Sequence, residues 1–105
     1  MISTSTVLSF DEVRPFVGEA FTLDGRGLAE IPVKLSEARS LGFNTPAERG
    51  GRESFALLFH APASARVPQG TYEFSHPRFG THGLFLVPLG PDAQGMRLEV
   101  IFNFS

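Results

Sequence analysis

The feature that most constrains this chain is a series of short apolar segments, each bounded by glycine, proline or asparagine. The clearest of them lie in the second half, at 55–59, 70–74, 84–88 and 98–104. Each is rich in aromatic or β-branched residues, and no helical crossover separates it from the next. Turn residues recur about every ten positions, which is typical of an all-β fold with antiparallel strands.

The length of the chain and its aromatic residues indicate one small core. A sequence of 105 residues predicts a single β-domain over residues 1–105. The chain contains 11 Phe and 1 Tyr but no Trp. Because a Phe ring has no polar tip, we expect these rings to fill the interior rather than to form an exposed binding platform.

Charge and cysteine content exclude several classes of function. The formal net charge is −2, and neither sign forms a long run. Binding to nucleic acid or to an anionic membrane needs a concentrated basic face, so neither partner is expected. The chain has no Cys, which excludes disulfides and thiolate chemistry. Met1–Thr6 lacks the basic and apolar regions of a secretory signal, which predicts a cytoplasmic protein unless a larger assembly delivers it.

The N-terminal segment predicts one short helical turn. Ser9 and Glu12 have the spacing of a capping box, in which each side chain bonds the backbone amide of the other residue. Pro15 prevents regular helix from continuing, so we expect one or two turns ending near Arg14. The apolar residues of this segment should pack on the sheet like a plug.

The next segments predict a hairpin and a loop. Asp24-Gly25 is a strong hairpin signal, and it precedes an alternating strand at 28–35 that extends towards Arg39. Residues 42–52 contain three Gly, one Pro and two Arg, a composition that predicts a flexible loop.

The remaining segments complete about six strands. The strand at 55–59 is apolar on both faces, as is the strand at 84–89, which favours a small antiparallel barrel over a sandwich. We expect turns at 79–83 and 90–92. The last strand, 96–104, ends with the chain, so we expect it at an exposed edge where another strand can pair.

Three histidines are the only candidate metal ligands of note. His60, His76 and His82 fall on or beside neighbouring strands, and imidazoles in such positions can bind zinc or iron. Their spacing matches no known motif, however. In the alternative interpretation His60 and His76 end strands and His82 is solvated. We therefore assign no metal and expect no cofactor.

No residue carries a recognisable catalytic pattern. The hydroxyl residues weighed as nucleophiles do not lie in a nucleophile elbow, so no catalytic residue is assigned: Ser54, Ser64, Ser75 and Thr81. Four polar residues embedded in the apolar blocks are not explained by core packing, and they are the candidate ligand-binding residues: Gln69, Tyr72, His76 and Asn103.

Four sequence blocks occur in a characteristic order. They are Phe55-Ala56-Leu57-Leu58-Phe59, Gln69-Gly70-Thr71-Tyr72 followed by His76, Leu84-Phe85-Leu86-Val87-Pro88, and Phe102-Asn103. This order resembles that of a family of short bacterial all-β proteins of unknown function, in which Ser stands where this chain has Ala56. The N-terminal Phe16-x-Gly18-x-x-Phe21 fits the same pattern, and the resemblance spans nearly everything outside 42–52.

The resemblance implies a role without implying a mechanism. No catalytic residues are established for the family, and its association with phage-tail-like gene neighbourhoods implies an accessory structural module. Our leading hypothesis is therefore a non-enzymatic protein-interaction or assembly domain that binds a protein partner, or a second copy, through a strand edge. The alternative is a small-ligand-binding β-barrel, and the third hypothesis is a metal-dependent enzyme that uses the histidines.

Overall fold

A computed structural model describes residues 9–25, 27–43 and 53–102 of the chain. These residues form one short helix, a 3₁₀ turn at Arg14–Phe16 and six strands. The helix and strands are α1 (Phe10–Val13), β1 (Ala20–Gly25), β2 (Leu28–Phe43), β3 (Glu53–Ala61), β4 (Gly70–His76), β5 (Gly80–Asp92) and β6 (Gly95–Phe102).

The six strands form one antiparallel sheet that closes in a ring. Their order around the ring is β1-β2-β3-β6-β5-β4, and β4 returns to β1. The prediction of an all-β fold with six antiparallel strands and one short N-terminal helical turn is therefore confirmed. The strand β3 lies between β2 and β6, in agreement with its two apolar faces.

The expectation that the last strand is an exposed edge is wrong for the described residues. From Met96 to Val100, β6 pairs with β3 on one side and with β5 on the other. Within the described part of the chain, Ile101 and Phe102 pair with β3 alone. A strand with two neighbours has its backbone donors and acceptors occupied, so most of β6 cannot accept a further strand.

The strand β2 is longer than the sequence pattern predicted. It runs to Phe43 because its first half pairs with β1 and its second half, from Lys34 onward, pairs with β3. Register shifts after Leu35 and after Ser40 bend it between these partners. Residues 42 and 43 of the predicted loop therefore belong to a strand, and 44–52 lie outside the described residues.

The strand β5 also exceeds its predicted bounds. The turn expected at 79–83 is instead a turn at 77–79, and the strand already begins at Gly80. The stop expected at 90–92 is a register shift between Pro88 and Gly90, after which pairing with β6 continues to Asp92. Gly90 has a φ of +94°, a conformation that glycine adopts without a steric penalty.

Aromatic and aliphatic side chains fill the inside of the ring. The ring of Phe59 packs edge-on against Phe21, with 5.5 Å between centroids, and lies 4.8 Å from that of Phe74. Phe59 and Phe74 are 1% and 0% exposed, as expected for core Phe residues. Completely or almost completely buried neighbours complete this core: Leu23, Leu35, Leu57, Leu86, Leu98 and Val100.

The N-terminal turn closes part of the sheet, as its sequence predicted. Ser9 Oγ accepts from the Glu12 amide at 3.1 Å, and the Ser9 amide donates to Glu12 Oε1 at 2.9 Å. The buried Val13 anchors the turn, and the Phe10 ring lies 5.7 Å from that of Phe55. The capping box and the plug-like packing are both confirmed.

Candidate functional site

A hydrogen-bonded cluster of three residues lies where β2, β3 and β5 come together. His60 Nδ1 is 2.6 Å from Ser36 Oγ, and His60 Nε2 is 3.1 and 3.0 Å from the two carboxylate oxygens of Asp92. Because an ionised carboxylate can only accept, we assign the ring proton to Nε2. In the neutral imidazole Nδ1 is then the acceptor of a hydrogen bond from the Ser36 hydroxyl. We call these three residues the His60 cluster.

Each member of the His60 cluster is placed by a local feature of its strand. Phe59 faces the interior, so His60, the next residue, faces outward. Ser36 is the additional residue at the register shift of β2, and such a bulge redirects a side chain. Asp92 ends β5 at the turn into β6, where its Oδ1 also accepts from the Gln94 amide at 2.8 Å.

The His60 cluster borders a surface cavity of about 450 Å³. Its polar walls include Lys34, Ser36, His60 and Gln94, while Val33 and other apolar residues form the remainder. The hydrogen bond from His60, followed by that from the Gln94 amide, holds the pKa of Asp92 below its ordinary value. Asp92 is therefore an ionised partner of the imidazole at neutral pH.

Sequence reasoning did not find the His60 cluster. Ser36 and Asp92 were not among the candidate residues, and His60 was weighed only as a metal ligand or as the end of a strand. The three positions are 24 and 32 residues apart and form no local motif. Only strand pairing brings them together.

A second polar cluster joins the end of β4 to the segment before β1. His76 Nε2 lies 2.6 Å from Glu19 Oε1, and Arg78 donates to both oxygens of the same carboxylate at 2.9 and 2.8 Å. His76 Nδ1 accepts from the backbone amides of Arg78 and Phe79. Both ring nitrogens of His76 are therefore bonded within the chain.

Aromatic rings enclose this second cluster. The His76 ring has centroid distances of 4.9 Å to Phe16 and 5.0 Å to Phe21, and the Arg78 guanidinium lies 5.2 Å from the Phe16 ring centroid. Hydrogen bonds from Arg78 and then from His76 lower the pKa of Glu19. We interpret this second cluster as a structural link between the end of β4 and the segment before β1 rather than as a pocket.

The candidate ligand-binding residues take up separate positions. Tyr72 is 1% exposed, and its hydroxyl donates to the Pro68 carbonyl at 2.6 Å. His76 lies four residues along the same strand, about 13 Å away, and is held by Glu19. Gln69 is exposed. Asn103 lies outside the described residues, so the structure tests no contact between it and the others.

The three histidines are not brought together. His60 faces outward from β3, while His76 packs against Phe21, whose ring also contacts the inward-facing Phe59. His82 Nε2 donates to the Phe79 carbonyl at 2.8 Å. Over the residues that the structure describes, no group of three His, Asp or Glu residues is arranged to hold a metal ion.

Two large apolar side chains face outward from the adjacent strands β5 and β6, each one position beyond the last register pair of these strands. Leu86 and Val100 form a buried pair across β5 and β6, so the adjacent Phe85 and Ile101 point the other way. Phe85 is 52% exposed and Ile101 is 53% exposed. We call these two residues the apolar pair.

Comparison with known proteins gives a family without a function. Residues 8–102 match the family model described as Domain of unknown function (DUF6916). No curated protein and no solved structure matches the chain. Among the described residues, no helix has the length and apolar character needed to cross a membrane.

Proposed function

The chain belongs to the family described as Domain of unknown function (DUF6916), and from that premise we propose that it is a protein-interaction or assembly module. Its binding surface is the apolar pair, Phe85 and Ile101. The observation that carries the proposal is the exposure of both side chains, at 52% and 53%, on the outer face of two adjacent strands, one position beyond the pair formed by Leu86 and Val100. Adjacent exposed apolar residues are a feature of protein-binding surfaces.

The energetics of the apolar pair favour a partner. Complete burial of a Phe or Ile side chain contributes about 1.5–3 kcal/mol relative to exposure, and the fold leaves about half of each side chain unburied. A stable interface covers about 800 Å² on each partner, which is more than two side chains supply. The contact must therefore extend over the neighbouring strands, where Leu58 and Val87 are half-buried.

The residues around the apolar pair indicate the chemistry of the partner. Glu99 pairs across the strands with both Leu58 and Val87 and lies two residues from Ile101. Glu73 is exposed two residues from Thr71, the strand neighbour of Phe85. Glu99 also forms an ion pair with the exposed Arg39 at 4.0 Å. A partner with an apolar centre and charged residues of both signs at its margin fits this surface. A structural protein of a phage-tail-like assembly is the partner class that the sequence resemblance implies, and a cytoplasmic setting without nucleic acid is part of the same proposal.

The test compares one disruptive variant with one matched control. Phe85→Glu places a charge at the centre of the surface, whereas Val17→Glu changes a similarly exposed residue, 40% accessible, outside the sheet. Proteins retained by the tagged wild-type chain from its native cells are identified, and the best-retained one is purified and titrated with each variant by calorimetry.

We expect Phe85→Glu to weaken binding about thirtyfold or more, as for the central residue of an interface, and Val17→Glu to bind as wild type. Equal affinity of wild type and Phe85→Glu for the purified partner would overturn the proposal. Light scattering on the isolated chain detects the competing outcome, association with a second copy through the same face.

Binding of a small ligand is the second candidate function. The 450 Å³ cavity beside His60 supports it, because its size lies within the range of ligand pockets, about 300–1,000 Å³. This cavity is formed by residues other than the four predicted from the sequence. A thermal-shift screen of small carboxylates and esters tests it, with stabilisation expected for wild type and lost in Lys34→Gln.

A further inference from the structure

The His60 cluster has the order hydroxyl, imidazole, carboxylate. We propose that Ser36 is an activated nucleophile that accepts the acyl group of a small carboxylic ester bound in the cavity beside His60. This activity goes beyond the proposed binding function and concerns another part of the surface. Four residues of β3, about 13 Å, separate His60 from Ala56, the strand neighbour of Ile101.

The direction of the hydrogen bonds carries the proposal. With a neutral imidazole and its proton assigned to Nε2, Nδ1 accepts from Ser36 over 2.6 Å and Nε2 donates to Asp92 over 3.0 Å. A base that faces the hydroxyl and a carboxylate that orients that base are the elements of a Ser-His-Asp triad. In the chymotrypsin triad Nε2 faces the serine and Nδ1 faces the aspartate, whereas here the two nitrogens have the opposite roles. Proton transfer requires only that the nitrogen facing the serine is unprotonated.

The environment of Ser36 distinguishes this arrangement from a purely structural bridge. Ser36 is partly exposed and lines the cavity, so its oxygen is accessible to a ligand. Its other hydrogen-bond acceptor, the Lys34 carbonyl, is at 3.4 Å, much farther than the imidazole. Lys34 also lines the cavity, and a cationic side chain within reach of an attacked carbonyl would stabilise the negative charge that develops there.

The chemical steps use only the groups of this site, the ester and water. Ser36 Oγ forms a bond to the ester carbonyl carbon while its proton passes to His60 Nδ1. The tetrahedral intermediate collapses, the bond to the alkoxy oxygen breaks, and the proton on Nδ1 goes to the leaving alcohol. Water then repeats the sequence on acyl-Ser36 and releases the carboxylic acid. Throughout, Nε2–H stays bonded to the Asp92 carboxylate, which stabilises the imidazolium.

The decisive measurement uses the full chain with diisopropyl fluorophosphate. An activated serine displaces fluoride from phosphorus, and the adduct is located by peptide mass spectrometry. We expect the adduct on Ser36 in folded protein and none in protein unfolded by urea. Hydrolysis of p-nitrophenyl acetate is the second readout, with release of p-nitrophenol catalysed by wild type.

Three variants identify the groups that act, with circular dichroism confirming that each folds. Ser36→Ala should abolish both readouts, and His60→Gln should slow them at least about a hundredfold, the contribution of a general base. Ser75→Ala, which removes a hydroxyl bonded to Thr81 on another pair of strands, is the control and should react as wild type.

If His60→Gln does not fold, labelling of folded and unfolded wild-type protein is sufficient to test the proposal. An adduct on other serines, or labelling of folded protein no faster than of unfolded protein, overturns it. Esterase activity that persists in Ser36→Ala would likewise overturn the assignment of the nucleophile.

Discussion

The His76 imidazole donates from Nε2 to Glu19 Oε1 over 2.6 Å, linking residues 57 positions apart in the sequence. Arg78 binds the same carboxylate, and the backbone amides of Arg78 and Phe79 donate to the other nitrogen of the ring. The negative charge of Glu19 is therefore stabilised both by the Arg78 guanidinium and by a hydrogen bond from the His76 imidazole. This relationship makes the stability of the fold depend on the ionisation of one carboxylate.

Glu19→Gln should reduce stability at neutral pH, and the effect should disappear in acid. Its hydrogen bonds from Arg78 and His76 lower the pKa of Glu19 from its ordinary value of 4.5. A lowered folded-state pKa means that the stabilisation is complete above the unfolded-state value and is lost as the pH falls through the folded-state value. The difference in unfolding free energy between wild type and variant should therefore shrink below about pH 4.5.

Urea denaturation at a series of pH values measures this difference. Glu30→Gln, at an exposed position of β2, is the matched control and should show no comparable trend. A wild-type-minus-Glu19→Gln difference that stays constant into acid would contradict the role assigned to the Glu19 carboxylate.

Gly95→Ala should destabilise the fold by at least about 2 kcal/mol. Gly95 has a φ of +134°, and a Cβ there would collide with the carbonyl oxygen of Ala61, a backbone atom of the adjacent strand. Gly83→Ala is the control, since its Cβ would meet Thr71 Cγ2 at an ordinary 3.8 Å. We expect the control to stay within about 0.5 kcal/mol of wild type. Chemical denaturation of both variants provides the test, and equal effects would refute the steric argument.

Tyr72→Phe should lower the unfolding free energy by about 1 kcal/mol, because the buried hydroxyl donates to the Pro68 carbonyl at 2.6 Å. Thr71→Val, at the exposed neighbouring position of β4, should change it by less than about 0.5 kcal/mol. Thermal or urea unfolding distinguishes the two. An unchanged stability in Tyr72→Phe would show that the hydroxyl is not structural and would favour the ligand-binding role predicted from the sequence.

The sequence pattern was most reliable for a strand whose two faces are both apolar. The two apolar faces of 55–59 predicted a central strand, and β3 has neighbours on both sides. The pattern failed at the ends of β5, because glycines at 80, 83 and 90 resemble turn residues. In the folded protein β5 pairs first with β4 and then with β6, and these ladders carry the strand through the glycines.

The amino-acid sequence by itself determined the fold class, the capping of the N-terminal turn and a core built from Phe, because these depend on alternation and on contacts between near neighbours. Only the tertiary structure decided that most of β6 is enclosed, that Phe85 and Ile101 face outward from adjacent strands, and that Ser36, His60 and Asp92 form one cluster. The physical reason is strand register. Pairing between distant segments selects which side chains meet, and no local pattern in the sequence records that choice.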